Sequence, residues 1–270
     1  MGGSRTRVAI VGEESALEAT ALETAVSEAG ATTCQEPVRV DVVLAVGERG
    51  LLMAARESLE APIIAVDAGW AGDSDVPDGH DESRVTGFPD GGLRYAIDVG
   101  RVPDVLDRFD GDGSPIETVD HPLLAVSVGG VEVATALFDV TLVTSEPARI
   151  SEYAVESGAE YRQSFRADAV TVATPIGTTG YARCAGAPVL SPGTGLVVVP
   201  VAPFSTRTDT WVVNDSATIS VEREEEPVSL VIDDEVCRTV GTDDPVSVSV
   251  DGRLRIVSSD LERGSADPSS

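Results

Sequence analysis

A chain of 270 residues with 42% hydrophobic side chains is long enough to bury one sizeable core or two modest ones. Its charge is far from balanced: 46 Asp and Glu stand against 19 Lys and Arg, the formal net charge is -27, and no lysine occurs, so every one of those cations is arginine. The chain therefore lacks the basic stripe that nucleic acid demands, no apolar run reaches the length of a membrane span, and no signal-peptide hydrophobic segment opens it, so the expected location is cytoplasmic.

A net acidic, lysine-free surface stays hydrated and dispersed where salt screens its self-repulsion, which points to a salt-loving cytoplasm. The acids are spread along the chain, so they do not read as a docking patch for a basic partner. The three cysteines, Cys34, Cys184 and Cys237, are odd in number and form no CxxC pair. Neither a disulfide framework nor a metal site is indicated. His80 and His121 are isolated and read as loop residues rather than ligands.

In chain order, Arg7 to Val11 is a β-branched run stopped by Gly12, and Glu14 to Ala29 reads as an amphipathic helix ended by Gly30. Asp41 to Val46 is a second strand, running into the turn Gly47-Glu48-Arg49-Gly50. Leu51 to Leu59 reads as helix and Pro62 to Val66 as a third strand. Continuous apolar strands alternating with helices predict a parallel α/β layer, in which ligands sit at the carboxyl ends of the strands. Gly47 to Gly50 and Asp67-Ala68-Gly69 lie at two such ends. Asp73 to Pro89 reads as an exposed loop, Leu93 to Ile97 as a further strand and Val102 to Phe109 as a short helix. Asp110 to Pro115 breaks regular structure and is the expected boundary. Beyond it come short β-rich runs, among them Ile116 to Val128, Val131 to Leu137, Val140 to Val143, Ile150 to Val155, Tyr161 to Phe165, Ala169 to Ala173, Gly195 to Val201, Val228 to Ile232, Val246 to Val250 and Leu254 to Val257. Their spacing predicts a sandwich-like all-β domain. The expected division is 1–113, 114–257 and a frayed tail over 258–270.

The stretch with chemical content is Thr174-Pro175-Ile176-Gly177-Thr178-Thr179-Gly180-Tyr181, leaving the strand Ala169 to Ala173. Glycines let a backbone approach a ligand, threonine hydroxyls donate and accept, and a tyrosine ring stacks on a base or ribose. The plain alternative is a Gly/Thr turn between strands. Together with Ala185-Gly186-Ala187-Pro188, Ser191-Pro192 and Pro200-Val201-Ala202-Pro203 in this order, the stretch resembles the NAD-binding segment of the NAD kinase family, specifically over about Asp168 to Ser205.

The resemblance implies a two-domain fold, α/β plus all-β: an N-terminal Rossmann-like parallel α/β domain, then a β-sandwich domain, with a dinucleotide held between them. It implies NAD or NADP as ligand, ATP and Mg2+ if the protein is active, and a homo-oligomer. By the same carry-over, Gly47, Gly50, Asp139, Asp168, Thr174, Thr178, Thr179, Gly180, Tyr181 and Cys184 fall at dinucleotide-lining positions. In the family a Gly-Gly-Asp-Gly loop supplies the carboxylate that binds magnesium or takes the hydroxyl proton. Here the flanking glycines Gly47 and Gly50 remain, but Arg49 stands where that Asp is expected. An arginine cannot accept a proton near neutral pH or bind magnesium, whereas its donor fork matches phosphate oxygens. Two readings follow: Arg49 grips a phosphate and catalysis is weakened or lost, or Glu48 supplies the base one residue earlier.

Other departures sit nearby. Phe138-Asp139 takes the place of Asn-Glu or Asn-Asp, so Asp139 keeps a hydrogen-bonding carboxylate while Phe138 offers a ring only. Asp67 replaces an Asn. Cys184 occupies a small-residue position and has no neighbouring His to activate it. Asp233-Asp234-Glu235 resembles an Asp-Gly turn of the family and reads as a solvated acidic turn. The function readings are a dinucleotide-binding protein with weakened transfer, an active NAD kinase using Glu48, Asp67 or Asp139, and a kinase of another small hydroxyl substrate, since diacylglycerol and sphingosine kinases resemble this plan.

Overall fold

The computed structural model describes residues 5–12, 16–37, 39–57, 59–67, 95–109, 116–146, 149–158, 161–205, 208–224 and 226–258. The sequence readings of the loop Asp73 to Pro89, the boundary Asp110 to Pro115, Ala68-Gly69, His80 and the tail after Ser258 fall outside these residues. Two compact units are present: described residues of the first lie within Met1–Glu82, Gly92–Asp120 and Leu254–Ser270, and those of the second within His121–Arg253.

In the first unit, β1 (Arg7–Val11), α1 (Ala16–Glu28), β2 (Thr32–Cys34), β3 (Val42–Val46), α2 (Gly47–Arg56), β4 (Ile63–Val66) and α3 (Val102–Leu106) follow one another. The strands are parallel in the order β2-β1-β3-β4. Every residue of β3 and β4 is buried, as expected of a sheet covered on both faces. Leu22 and Val26 of α1 and Val102 and Leu106 of α3 share one core with Val42, Leu44, Ile64 and Val66. Helix α2 packs against β1, β3 and β4. Residues Gly47 to Gly50, expected as a turn before a helix, are instead the first turn of α2. The three-residue β2 went unforeseen because its residues are largely exposed and leave no hydrophobic alternation.

The second unit is built from β5 (Thr118–Val128), β6 (Val131–Ala136), β7 (Asp139–Thr144), β8 (Ser151–Ser157), β9 (Tyr161–Ala167), β10 (Ala169–Ala173), the one-turn helix α4 (Tyr181–Cys184), β11 (Leu196–Val201), β12 (Trp211–Val213), β13 (Ser216–Arg223), β14 (Val228–Ile232), β15 (Glu235–Val240) and β16 (Val246–Val257). One sheet runs β12-β11-β10-β7-β14-β15, every neighbour antiparallel. The other contains β16-β13-β8-β9 with the β5–β6 hairpin alongside β16. Alternate residues of both sheets, such as Val140, Leu142, Val170, Val172, Tyr153, Val155, Ile219 and Val248, interdigitate in a single core. Phe165 bridges Trp211 and Tyr153, with ring centroids 5.5 and 6.2 Å away.

The two runs Val246 to Val250 and Leu254 to Val257 form one strand, β16, which continues through the exposed Asp251-Gly252-Arg253 with Gly252 at φ +115°. The last residues of β16 belong to the first unit, where Ile256 lies parallel to Ile63 of β4 and the Arg255 guanidinium donates to the Glu60 carbonyl. The architecture is thus a parallel α/β unit and an antiparallel β-sandwich.

Candidate functional site

Open parallel sheets bind ligands at the carboxyl ends of their strands, and in the first unit two such ends lie side by side. Val46 and Val66 are paired across β3 and β4, so Gly47 and Asp67 leave neighbouring strand ends side by side. Gly50 is fixed by contact: a Cβ there would lie 2.6 Å from the Val11 carbonyl oxygen and 2.8 Å from the Ala45 carbonyl carbon. Only a residue without a side chain lets the first turn of α2 seat on the ends of β1 and β3. Glu48 and Arg49 are the second and third residues of that turn, both exposed, and as consecutive helical residues they project about 100° apart. The amino end of α2 carries the positive pole of its dipole. Asp67 is half-buried and its N–H is donated to the Ile97 carbonyl.

The second unit brings together the other sequence-predicted residues. Ala173, at the end of β10, is paired with Asp139 at the start of β7, so the segment Thr174–Tyr181 and the segment Leu137–Asp139 emerge together. Thr174 is fully buried and locks them: its N–H bonds the Phe138 carbonyl at 2.9 Å and its Oγ1 donates to the Leu137 carbonyl at 2.7 Å. Gly177 lies against the same peptide, since a Cβ on it would meet the Phe138 oxygen at 2.0 Å. Thr178 Oγ1 donates to the Pro175 carbonyl and accepts from the Leu190 N–H, and Thr179 Oγ1 donates to the Ile176 carbonyl. The three hydroxyls, read from the sequence as ligand-facing, thus make bonds that hold the loop itself. The short helix α4, which starts beyond Gly180, is seated by Ala182, with Ala187 and Leu190, on Ala173, Val197 and Val199 of the sheet.

What faces outward is Tyr181, 41% exposed at the start of α4, with Cys184 exposed three residues on and hence on the same helical face. Burial raises the Tyr181 phenol above its ordinary value, and the charges of Asp139 and Asp168 and the Cys184 thiol push it the same way. Tyr181 is therefore a neutral donor at physiological pH. Asp139 accepts from Thr141 Oγ1 at 3.2 Å, and Thr171 Oγ1 lies 2.9 Å behind Thr141, so two buried hydroxyls in line fix the carboxylate. Asp168 precedes β10, and its carbonyl accepts from Tyr153 OH at 3.4 Å.

Two residues of this site were misread from sequence. Asp233, taken as part of a solvated acidic turn, is buried, and its carboxylate accepts the N–H groups of Leu137 at 2.8 Å, Phe138 at 2.7 Å and Asp139 at 3.1 Å. Asp233 and Asp234 have φ of +47° and +68°, the two left-handed residues of the β14–β15 hairpin. His121, taken as a loop residue, is completely buried in β5, with Nε2 3.2 Å from Thr174 Oγ1. The available signal was the apolar run Pro122 to Val126 that His121 opens.

Residues 137–261 match the family model of the ATP-NAD kinase C-terminal domain. Over this segment, a little under half of its length, the chain is similar to the C-terminal domain of ATP-NAD kinases. Among relatives, the NAD kinase of Methanospirillum hungatei is 27% identical over 198 residues, covering 72% of this chain and 65% of that one. The NAD kinase of Methanosarcina barkeri is 30% identical over 171 residues, 62% of each. The matched part thus spans a little under two thirds of these NAD kinases. Among solved structures, an Archaeoglobus fulgidus NAD kinase in complex with ATP superposes with a TM-score of 0.66 at 21% identity, over 93% of both chains. Yeast NADH kinase complexed with NADH gives 0.70 at 14% identity, over 94% of this chain and 83% of that one. At these identities the likeness is one of fold.

Proposed function

We propose that this chain binds NAD or NADP on the Tyr181 surface of its β-sandwich unit and carries out the family reaction, phosphorylation of the NAD ribose by ATP, weakly or not at all. The observation that carries the binding reading is the convergence of Tyr181, Asp139, Asp168 and Cys184 around a loop whose own polar groups are bonded internally. A half-exposed neutral phenol offers a ring face to a base and a donor to an oxygen, and a fixed carboxylate accepts from ribose hydroxyls. The relatives named as NAD kinases and the neighbours holding ATP and NADH agree with a nucleotide ligand.

The reading of weak transfer rests on Arg49. Removing a proton from a ribose hydroxyl requires a base, and a guanidinium is none. Its forked donors near a helix amino end suit a pyrophosphate or a 2′-phosphate instead. Among the described residues no three His, Cys, Asp or Glu side chains converge as a metal site. Magnesium in phosphoryl transfer needs only one or two protein carboxylates beside the nucleotide's own phosphates, so the ion would come bound to the nucleoside triphosphate. A second reading is favoured by one observation: Glu48 is exposed on the same helical turn and could serve as the base.

The acidic, lysine-free composition fits a protein working in concentrated salt in the cytoplasm, so the test is made in molar potassium chloride. NAD and NADP are titrated calorimetrically, and the protein is then incubated with ATP, magnesium and NAD while NADP is measured. Binding of at least one dinucleotide with little NADP formed is the expected result; binding of neither defeats the proposal. Should NADP form at a substantial rate, Glu48→Gln decides the second reading, which requires that the rate collapse.

A further inference from the structure

Thr174 Oγ1 is the point where three segments of the β-sandwich unit meet, and its bonding can be counted. A hydroxyl has one proton and two lone pairs. The proton goes to the Leu137 carbonyl, 2.7 Å away. One lone pair accepts the Gly177 N–H at 3.3 Å, which closes the turn leading into Gly177-Thr178-Thr179. The second faces His121 Nε2 at 3.2 Å, so that nitrogen carries the hydrogen of the bond. His121 is therefore held as a donor at Nε2, in a fully buried setting. Its backbone is set as well: the residue before a proline is confined to extended conformations, and Pro122 follows it within β5.

We infer that His121 is a positioning residue of the dinucleotide loop: by filling the last lone pair of Thr174 Oγ1 it fixes the Thr174–Gly177 turn against the Leu137–Asp139 segment. This rests on the proposed binding of NAD or NADP at Tyr181. The physical content is one of orientation. Without the imidazole donor the Thr174 hydroxyl can rotate, and its proton can move from the Leu137 carbonyl to that of Phe138, 3.1 Å away. Gly177 then loses a fixed acceptor, and Asp139, two residues beyond Leu137, loses part of its frame. Asp233 holds the N–H side of the same segment, so His121 and Asp233 fix its two sides through different groups.

The test compares His121→Leu, which keeps the bulk and removes the donor, with His121→Gln, whose amide N–H reaches to the Nε2 position. Amide hydrogen exchange is followed at Gly177 and across Leu137–Asp139, with the β8 amides of Ser151–Ser157 as an internal reference, and NAD or NADP is titrated into each protein. The leucine variant is expected to exchange about tenfold faster at Gly177 with β8 unchanged, and to bind the dinucleotide about tenfold more weakly. The glutamine variant is expected to recover both to within about threefold. A role confined to overall stability would raise exchange in β8 equally and would show no rescue of binding by glutamine. Wild-type protection of Gly177 in His121→Leu overturns the inference. If wild-type protein binds neither dinucleotide, the binding proposal fails and the exchange comparison still decides the role of His121. If the leucine variant does not fold, the ring 15N shifts of the wild-type protein decide, and an imidazole protonated at Nδ1 alone overturns the inference.

Discussion

The buried carboxylate of Asp233 gives the sharpest test of how the site is built. Three successive N–H groups, of Leu137, Phe138 and Asp139, point at its two oxygens, with Phe138 and Asp139 sharing Oδ1 and Leu137 on Oδ2. In Asp233→Asn the amide keeps the shape and tolerates the positive φ, but only one oxygen remains. Oriented to serve Phe138 and Asp139, the new NH2 group then faces the Leu137 N–H, donor against donor. Losing one hydrogen bond to a charged group costs roughly 1.5–3 kcal/mol, which for a protein of this size lowers Tm by roughly 3–12 °C. Asp233→Ala strands all three donors, and a loss of about 3–5 kcal/mol is expected. The adjacent Asp234 is an opposite-sign control, because it is exposed at φ +68° and the second position of this turn type favours glycine. Asp234→Gly should stabilise by about 0.5–1 kcal/mol. Chemical denaturation in constant salt measures all three. An Asp233→Ala protein within about 0.5 kcal/mol of wild type would refute the reasoning, since surface substitutions fall in that range and a buried three-bond acceptor should not.

Three further predictions follow from the same geometry. Gly177→Ala places a Cβ 2.0 Å from the Phe138 carbonyl oxygen, a backbone atom unable to swing aside, so denaturation should show a loss of about 3 kcal/mol or more, whereas Gly100→Ala, with no atom within 4 Å, should be neutral. Cys184 and Cys237 are both exposed, but only Cys184 lies beside Tyr181, so bound NAD or NADP should slow maleimide labelling of Cys184 and leave Cys237 unchanged by peptide mapping. The Tyr181 phenol is raised by burial and then by Asp139 and Asp168, so its phenolate absorbance, isolated by difference against Tyr181→Phe, should appear above the ordinary pH of about 10 and move down in Asp139→Asn. With the folded value above the unfolded one, any stability tied to this group is complete below pH about 10 and is lost as pH rises through the folded value.

How much of this was legible depended on whether a residue's role leaves a periodic or local mark. The strands β1, β3, β4, β10 and β14 are continuous or alternating apolar runs, and their bounds in the structure agree with those read from sequence to within one residue. Strand β15, Glu235–Val240, was not foreseen, because its first five residues are exposed and carry no pattern that burial would impose. The same limit explains Asp233: an acid that opens a run of three acids looks solvated, and only pairing across 94 to 96 residues shows that it takes the N–H groups of another segment. His121 went unrecognised for a related reason, as its partner Thr174 is 53 residues away. Hydroxyls behave in the opposite way. The Thr-rich run was conspicuous, yet Thr178 and Thr179 donate to carbonyls three residues back, a local bond that composition cannot distinguish from a ligand contact.

The start of α2 sharpens the question that the sequence raised about Arg49. Read as a turn, Gly47 to Gly50 could have aimed either neighbour at a ligand; as helix, the segment has fixed directions. Gly50 is held against β1 and β3 by its missing side chain, so the turn cannot rotate to exchange Glu48 for Arg49 without driving backbone into backbone. Glu48 and Arg49, both exposed, then point about 100° apart at the strand ends beside Asp67. If Arg49 is the residue that meets the ligand, Arg49→Asp restores a carboxylate where the family is expected to have one and should raise NADP formation while weakening affinity for the phosphorylated dinucleotide. If Glu48 meets it instead, the same substitution leaves both quantities where they were, and the loss of turnover belongs to Glu48→Gln. The rigid seat of one glycine thus makes the choice between gripping a phosphate and accepting a proton a matter of which of two adjacent residues is changed.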